Sequence, residues 1–269
     1  TSAVGESDEA WIEFGVNRKL WGYAAERAPS THPVAGSPAP DALSALGNFD
    51  GISYAKGASV LRQLIAHIGD DAFVAGVGEY LRSHAFGNGE LAEFIAAIED
   101  AAGRSLTAWS AAWLQTAGAD RIALEGDVLT RRAPADHPAD RPHTLDVAAF
   151  ADGREVARVD LVVSGDRTSV PGLADVPTGA LVVPNASDLT WAEVALDDAT
   201  IDALPGNLAD VPDACARSVV WGSLLGSVAR GEVDPRTVLS TFVAAWPRED
   251  SGAVLSRVSL LMTSQIVPL

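Results

Sequence analysis

The sequence predicts a multidomain α+β protein in which a small antiparallel β-sandwich separates two helical regions. Apolar residues recur every three to four positions up to Gly118, alternate at every second position in the next segment, and return to helical spacing from Asp197. We therefore expect a helical domain over residues 1–118, a β-sandwich over residues 119–195, and the start of an α-helical domain of stacked helix pairs over residues 196–269.

Composition and charge exclude several classes of function. The 269 residues are 48% hydrophobic, which is enough for real cores, but no apolar run reaches the ~18 residues of a membrane span. With 36 acidic and 19 basic residues, the net charge of −17 repels phosphate backbones and anionic lipids, so we expect no nucleic-acid or membrane partner. The single cysteine, Cys215, excludes an internal disulfide and favours a reducing, cytoplasmic setting.

The first region reads as a series of short amphipathic helices with one long loop. The loop covers residues 29–50, where Pro, Gly, Ser and Asp replace the apolar pattern. Asp70 and Asp71 suit the start of a helix as cap and as favourable charge. Helices are expected over residues 7–28, from about Tyr54 to His67, from Asp70 to a break at Phe86, over Glu90–Ala102 and over Ser105–Gln115.

The second and third regions are predicted from turn signals and helix starts. Asp152-Gly153 between two alternating runs is a hairpin signal, and Asp234-Pro235 is a typical helix start. Strands are expected over residues 121–125, 128–131, 144–148, 155–163 and 180–183, and helices over 197–204, 213–230, from 234 to Pro247, and over 251–265.

Tyr54 is the one residue whose position points to chemistry. It follows a turn-rich lead containing Asp50 and Gly51 and precedes a strongly apolar helix. A phenol held at the mouth of a buried helix can donate a hydrogen bond where negative charge develops in a reaction. Most tyrosines in such positions only pack and hydrogen-bond, so on chemistry alone the structural role is the more common one.

The chain shows no self-sufficient active site. Its five histidines are scattered and no His-Glu-x-x-His occurs; His137 and His143 share the loop HPADRPH, which we interpret as a solvated linker. Neither a Gly-x-Ser-x-Gly elbow nor a Walker-type loop is present, so acyl-serine and nucleotide chemistry lack support.

Four segments, in order, resemble motifs of the M1 zinc aminopeptidases, the aminopeptidase N-like gluzincins. Tyr54-Ala-Lys-Gly-Ala-Ser-Val-Leu-Arg62 is similar to the family signature Y-x-K-G-x-x-V-L-R. The other three are Ser30-Thr-His-Pro33, similar to S/T-H-P; His84-Ala-Phe-Gly-Asn88, similar to H-x-Y/F-G-N; and Leu106–Trp109 with Trp113–Gly118, similar to L-x-x-W…W-L-x-x-x-G.

This resemblance implies a fold, a reaction and a cofactor. It implies that residues 1–118 are the helical lobe of a thermolysin-like catalytic domain, and that Tyr54 stabilises the tetrahedral oxyanion when peptides with a free amino terminus lose their first residue. The family's single zinc ion is held by two histidines and a glutamate, with a glutamate base in His-Glu-x-x-His and a Gly-x-Met-Glu-Asn stretch for the substrate amine. None of these motifs occurs here. We therefore expect a carboxy-terminal fragment that is inactive alone.

A second hypothesis explains the missing ligands differently. The chain could be a non-catalytic helical and β-sandwich module used for binding or scaffolding. The reading frame upstream of Thr1 distinguishes the two: a His-Glu-x-x-His there supports the enzyme, whereas a start codon just before Thr1 supports the module. The sequence predicts neither the preferred amino-terminal residue nor an oligomeric state.

Overall fold

The structure, a computed structural model, describes residues 9–36, 39 and 41–268. It confirms a mixed α+β architecture, in which two small sheets lie between two helical regions of the described part. Within the described residues, no helix has both the length and the apolar character that crossing a membrane requires.

The first predicted helix is interrupted by a π-helical turn. Its parts are α1 (Glu9–Glu13), π1 (Phe14–Lys19) and α2 (Leu20–Glu26). The backbone remains right-handed across both junctions, so the three parts continue one another. The two residues that precede Glu9 in the predicted span 7–28 lie outside the described part.

The predicted loop after this helix contains a short helix that the sequence pattern did not indicate. This helix, α3 (Ala42–Leu46), begins where the Asp41 side chain accepts a hydrogen bond from the Ser44 amide at 2.7 Å. It buries none of its own residues. The capping bond therefore defines its start, without an apolar stripe that periodicity could detect.

The helices that follow form the rest of the first region. Gly69, not Asp70 or Asp71, occupies the cap of the second of them, and the two aspartates lie in its first turn. The elements are π2 (Ile52–Lys56), α4 (Gly57–Ile68), α5 (Asp70–Ser83), α6 (Leu91–Ala102) and α7 (Thr107–Leu114).

Among the described residues, seven strands form two sheets, and one of the strand pairings is parallel. The strands are β1 (Asp120–Glu125), β2 (Val128–Arg132), β3 (His143–Ala151), β4 (Arg154–Val163), β5 (Arg167–Ser169), β6 (Leu181–Pro184) and β7 (Ala192–Ala195). The sheet orders are β5-β2-β1-β7 and β4-β3-β6. β1 and β7 run parallel, whereas we expected only antiparallel strands. All the other strands lie between these two in sequence, which provides the long crossover that a parallel pair needs.

The hairpin between β3 and β4 is confirmed. Asp152 and Gly153 adopt positive φ angles of 51° and 72°, as a two-residue turn with left-handed backbone requires. The strands pair antiparallel from His143 with Val163 to Ala151 with Arg154.

The chain ends in helices, as expected from residue 197 onwards. Asp234 caps one of them and Pro235 is its first residue, which confirms the predicted start. The elements are α8 (Asp198–Asn207), α9 (Ala214–Ala229), α10 (Pro235–Ala245), α11 (Gly252–Leu261) and π3 (Met262–Ile266).

Apolar contacts cross the predicted domain boundaries. Ile12 and Val16, from the first helix, lie in one core cluster with Trp221 of α9. Trp191, from the loop before β7, lies in the core of the first helical region with Trp113. The three-domain division of the chain stays a prediction, and these contacts join its parts.

Candidate active site

Tyr54 lies in the π-helical turn π2, at the entry to α4. The Asp50 side chain fixes the start of this turn, because one carboxylate oxygen accepts hydrogen bonds from the amides of Ile52 at 2.8 Å and Ser53 at 3.1 Å. π-helical turns inside helices are rare and are frequent at functional sites. The hydrogen bonds to Asp50 therefore fix the backbone of π2, the turn that holds Tyr54.

Tyr54 is exposed while its neighbours in the turn are buried. Its side chain is 53% accessible, whereas Ile52, Ala55 and Lys56 are all within 1% of full burial. The ring of Phe49 lies 5.9 Å from the Tyr54 ring, centroid to centroid. Three buried residues thus anchor the turn and leave the phenol at the surface.

Two glycines allow the π2 turn to approach α2 closely. A Cβ atom at Gly51 would lie 2.8 Å from the Cα of Gly22, and one at Gly22 would lie 2.8 Å from the Cβ of Ala55. Real Cβ atoms essentially never come so close. The backbones therefore pack in a way that no other residue type at these positions permits.

Lys56, two residues after Tyr54, is buried in an ion pair with Glu26 of α2. Its Nζ lies 2.9 Å from Glu26 Oε2 and donates to the carbonyl oxygen of Gly118 at 3.0 Å. Burial lowers the pKa of Lys56, and the nearby Glu26 carboxylate opposes that shift. The Lys56 ammonium thus joins the turn both to the first helix and to the segment that leaves α7.

Glu26 is the centre at which several motif residues meet. Its Oε1 accepts hydrogen bonds from the Thr31 hydroxyl at 2.8 Å and the Gly118 amide at 2.7 Å, and its Oε2 accepts from the Trp191 indole at 2.9 Å. Thr31, Lys56 and Gly118 belong to three of the four motifs identified in the sequence. The structure therefore brings those three motifs together around a carboxylate that sequence analysis did not single out.

His32 connects the same loop to the start of the π2 turn. Its Nε2 lies 3.3 Å from Asp50 Oδ2, and its Nδ1 lies 2.8 Å from the carbonyl oxygen of Pro33. Because Asp50 also caps the turn that holds Tyr54, the His32–Asp50 contact supports the placement of the tyrosine from a second side.

The fourth motif lies in a turn of its own. Phe86 has a positive φ of 61° and a fully exposed ring. His84 lies 3.2 Å from Glu93, and its pKa is raised by its hydrogen bond with the Tyr80 backbone and by the Glu93 carboxylate. The residues that meet at Glu26 do not include this turn.

The described residues do not fit a zinc site. No group of three or more His, Cys, Asp or Glu side chains among them could hold a metal ion. Zinc sites need three or four such ligands in tetrahedral arrangement. The described part of the chain thus does not by itself form a complete zinc-binding cluster.

A buried charged cluster was missed by the sequence analysis. Asp120 accepts hydrogen bonds from Arg141 at 2.5 Å, Arg131 at 2.7 Å and His143 at 3.1 Å, and His143 also contacts the Thr190 hydroxyl at 2.8 Å. All four members of the cluster are at least 94% buried. The interpretation of HPADRPH as a solvated linker is therefore wrong for Arg141 and His143, because their partners on other strands are remote in sequence.

Burial and the neighbouring charges shift the pKa values of His143 and Asp120 in this cluster. Burial lowers the pKa of His143, since the charged imidazolium is costly there. Burial alone would raise the pKa of Asp120, but the His143 hydrogen bond and the arginine charges outweigh it and hold that pKa below its usual range. The cluster thus joins β1, β2 and β3 and has no exposed group for chemistry.

The arrangement at Tyr54 suits the stabilisation of a developing negative charge. A phenol hydroxyl can donate one hydrogen bond, and a donor is most effective when the protein holds it in place beforehand. The buried Lys56–Glu26 pair, the Asp50 cap and the glycine contact provide such support. The half-buried Tyr23 of the first helix, by contrast, donates its hydroxyl to the carbonyl oxygen of Ala192 at 2.7 Å.

Comparison with protein families gives one match in the first region. Residues 2–113 match the family described as Peptidase family M1 domain. The matched segment contains Glu26, Lys56 and Tyr54, together with most of the four motifs.

Individual relatives extend the likeness along the chain. The chain is 36% identical, over 92% of its length, to a protein named Aminopeptidase N from Streptomyces lividans. It is 39% identical over 33% of its length to Tricorn protease-interacting factor F2 of Thermoplasma volcanium, and 34% identical over 41% to Glutamyl aminopeptidase of Bitis rhinoceros. The matches span 31%, 11% and 12% of those relatives, so the chain corresponds to about a third of the Streptomyces protein.

Proposed function

The chain belongs to peptidase family M1, and we propose that it forms part of a zinc-dependent aminopeptidase that removes amino-terminal residues from peptides. The family assignment confirms the resemblance found in the sequence. Two of the relatives carry aminopeptidase names, and the likeness to one of them extends across 92% of the chain. The activity is proposed for the whole protein, of which these residues are one portion.

In this proposal Tyr54 donates a hydrogen bond to the oxyanion of the tetrahedral intermediate. The observation that carries it is the combination of an exposed phenol with a buried, multiply bonded turn beneath it. A preorganised donor favours the transition state over the substrate, because the carbonyl oxygen gains its negative charge only as the intermediate forms. Losing one such donor typically lowers the rate by ~10²–10³.

The single zinc ion would be held by parts of the protein outside this chain, where it would supply Lewis-acid and nucleophile-activating chemistry. Most of the exposed large apolar side chains among the described residues lie on the first helical region, which supports the idea that this region packs against another part of its domain. Its exposed large apolar side chains are Trp21, Leu43, Leu46, Phe49, Leu61, Val74, Leu81, Phe86 and Leu91. Tyr54 contacts one of them, Phe49.

Hydrolysis of an aminoacyl anilide tests this function. The full-length product of the gene should release the aniline, lose activity with a chelator, and regain it with zinc. The purified 269 residues should release no aniline, with or without added zinc, because their described part contains no cluster of side chains that could hold a metal ion. Zinc-dependent hydrolysis by the 269 residues alone, or an inactive full-length protein, would overturn the proposal, and the second result would favour a binding module.

A further inference from the structure

Trp191, in the loop before β7, is buried in the first helical region although it follows that region by many residues in the sequence. Its side chain is 0% exposed and lies in the apolar core that contains Ala55 and Trp113. Ala55 belongs to the π2 turn and directly follows Tyr54. Trp191 lies beyond residues 2–113, the segment that matches the M1 family model. A residue outside that segment therefore completes the core that the π2 turn joins.

One face of the first helix holds the segment that carries Trp191. Lys19 Nζ donates to the carbonyl oxygen of Thr190 at 2.8 Å, and the Tyr23 hydroxyl donates to that of Ala192 at 2.7 Å. The Tyr23 ring also stacks on the Trp191 indole, with 4.2 Å between the ring centroids. Residues four apart are neighbours on a helix surface, so the two donors act from one face. The residues on both sides of Trp191 are thus held, and the indole has a defined position.

The indole N–H of Trp191 donates to the buried carboxylate that also pairs with Lys56. It donates to Glu26 Oε2 at 2.9 Å, and the same oxygen lies 2.9 Å from Lys56 Nζ. An indole N–H can only donate, and a buried carboxylate needs donors for its lone pairs. The indole therefore helps to orient the Glu26 carboxylate toward Lys56, which lies two residues after Tyr54 in the π2 turn.

The ring of Trp191 also reaches the turn by packing. A Cβ at Gly22 would lie 2.6 Å from Trp191 Cη2 and 2.8 Å from the Cβ of Ala55, so both side chains border the space that a larger residue at this position would fill. Protein interiors are close-packed and transmit strain. A shift of the indole would therefore reach Ala55, the residue after Tyr54, by a second route besides the hydrogen bond.

We propose that Trp191 is a positioning residue for the peptidase reaction, which holds the π2 turn so that the Tyr54 hydroxyl meets the oxyanion. The inference rests on the proposed function, because it needs Tyr54 as the donor. Misplacing a reacting group by about 1 Å can lower a rate by about 10². The activity then depends on the loop before β7 as well as on the segment that matches the family.

Turnover of Trp191→Phe in the full-length gene product, with an aminoacyl anilide as substrate, tests this role. Phenylalanine keeps an aromatic ring but has no N–H for Glu26. We expect kcat to fall about tenfold while KM and zinc content change little, because the substitution displaces the oxyanion donor and leaves ground-state binding intact. Trp221→Phe is the matched control, since the Trp221 indole is also buried and its N–H has no hydrogen-bond partner among the described residues. It should keep the parent kcat.

The same substitution in a Tyr54→Phe background separates positioning from a purely structural role. Once the phenol hydroxyl is absent, Trp191→Phe should change kcat by less than about twofold, because its effect passes through that hydroxyl. An undiminished kcat of Trp191→Phe, or equal losses with and without the Tyr54 hydroxyl, would overturn the proposal while the parent enzyme stays active. An inactive parent would overturn the proposed function itself, and this inference with it.

Tyr23→Phe is a second variant that disturbs the same indole more gently. It keeps the ring that stacks on Trp191 and removes the hydroxyl bonded to the carbonyl of Ala192. We expect kcat to fall about fivefold when Tyr54 is present and by less than about twofold in the Tyr54→Phe background. Thermal melting by circular dichroism verifies that each variant folds, and Tyr23→Phe decides the outcome if Trp191→Phe does not. Equal losses in the two backgrounds would again contradict the positioning role.

Discussion

At the scale of single residues, the best-defined part of the proposed site is the buried ion pair of Lys56 and Glu26 next to Tyr54. Lys56 is fully buried, and Glu26 accepts four hydrogen bonds or ionic contacts from different segments. Desolvating two charges is costly, and the cost is recovered only when the geometry is complete. Such a pair does little for stability on its own, so we interpret it as fixing the conformation of the turn that presents Tyr54.

Lys56→Met should therefore destabilise the chain by about 3–5 kcal/mol, because it leaves the Glu26 carboxylate buried without its cation. Urea unfolding followed by circular dichroism measures the change. The control is Arg82→Met, which removes an ion pair with Glu79 whose side chains are 70% and 61% exposed. That change should cost about 0–1 kcal/mol. Similar losses for both variants would contradict the structural role of the buried pair.

Cys215 should react slowly with thiol reagents. Burial and the nearby Asp188 carboxylate raise the pKa of its thiol to about 12, so at pH 8 the reactive thiolate is roughly a thousandfold rarer than in an ordinary cysteine. The measurement is the rate of colour release from Ellman's reagent, compared between the folded chain and the same chain in guanidinium. A folded-state rate within about tenfold of the unfolded rate would refute the prediction.

Among the elements, the π2 turn shows how local backbone and packing combine. Asp50 caps it, α4 continues it, and Gly51 lets it touch α2 at Gly22. The sequence correctly indicates a turn followed by a helix, because capping and apolar periodicity are local signals. The apolar spacing that predicts a helix here comes from the regular helix α4, so it did not indicate that the preceding turn is π-helical.

Gly51→Ala should destabilise the chain by about 1–3 kcal/mol, because its Cβ would overlap the Gly22 backbone at 2.8 Å. Gly57→Ala is the matched control. A Cβ at Gly57 has 3.7 Å to the nearest atom, on Val34, and alanine is favoured over glycine in a helix by about 0.5–1 kcal/mol. Midpoints of urea unfolding compare the two. Equal effects of both substitutions would contradict the close approach of π2 and α2.

The strands show where prediction from sequence succeeded and where it failed. The β3–β4 hairpin was predicted because Asp152-Gly153 and the alternating runs beside it are adjacent in the chain. β5 has only three residues, and β7 is the run Ala-Glu-Val-Ala, which lacks the consecutive Leu-Val-Val that indicated the equally short β6. β7 also pairs in parallel with a strand about 70 residues earlier, and no local pattern specifies such a partner.

For the molecule as a whole, the site depends on contacts that join distant segments. The motifs could be recognised one by one, but their meeting at Glu26 connects residues up to 92 positions apart. The same holds for Asp120 and its partners. Arg141 and His143, which we expected in a solvated loop, instead make buried ionic contacts with Asp120. Apolar and turn patterns specify which elements form, whereas polar pairing across elements requires the folded arrangement.

The Asp120 cluster should make folding stability depend on pH. The pKa of His143 is lowered in the folded state, so between its folded pKa and the unfolded value near 6.5 the unfolded chain binds more protons. Stability should therefore be fully present above about pH 7.5 and decrease as the pH falls through 6.5. The lowered pKa of Asp120 adds a second loss only below about pH 4.

Comparing the wild type with His143→Gln isolates this effect. Urea titrations at about pH 7.5 and pH 6.0 give the free energy of unfolding of each protein. The difference between the two proteins should be smaller at pH 6.0, because only the wild type loses the stability that the neutral His143 contributes. The control is His84→Gln. The pKa of His84 is raised in the folded state, so its removal should shift the pH dependence in the opposite direction. A wild-type advantage that is equal at both pH values would contradict the assignment.

The most direct test of the proposed function is the turnover of Tyr54→Phe in the full-length gene product, with an aminoacyl anilide as substrate. Loss of the oxyanion donor should lower kcat by ~10²–10³ while zinc content and KM change little. Tyr80→Phe, which removes a hydroxyl from α5 in the same helical region, should keep the parent kcat. A Tyr54→Phe enzyme with kcat within about twofold of the parent would contradict the role assigned to Tyr54.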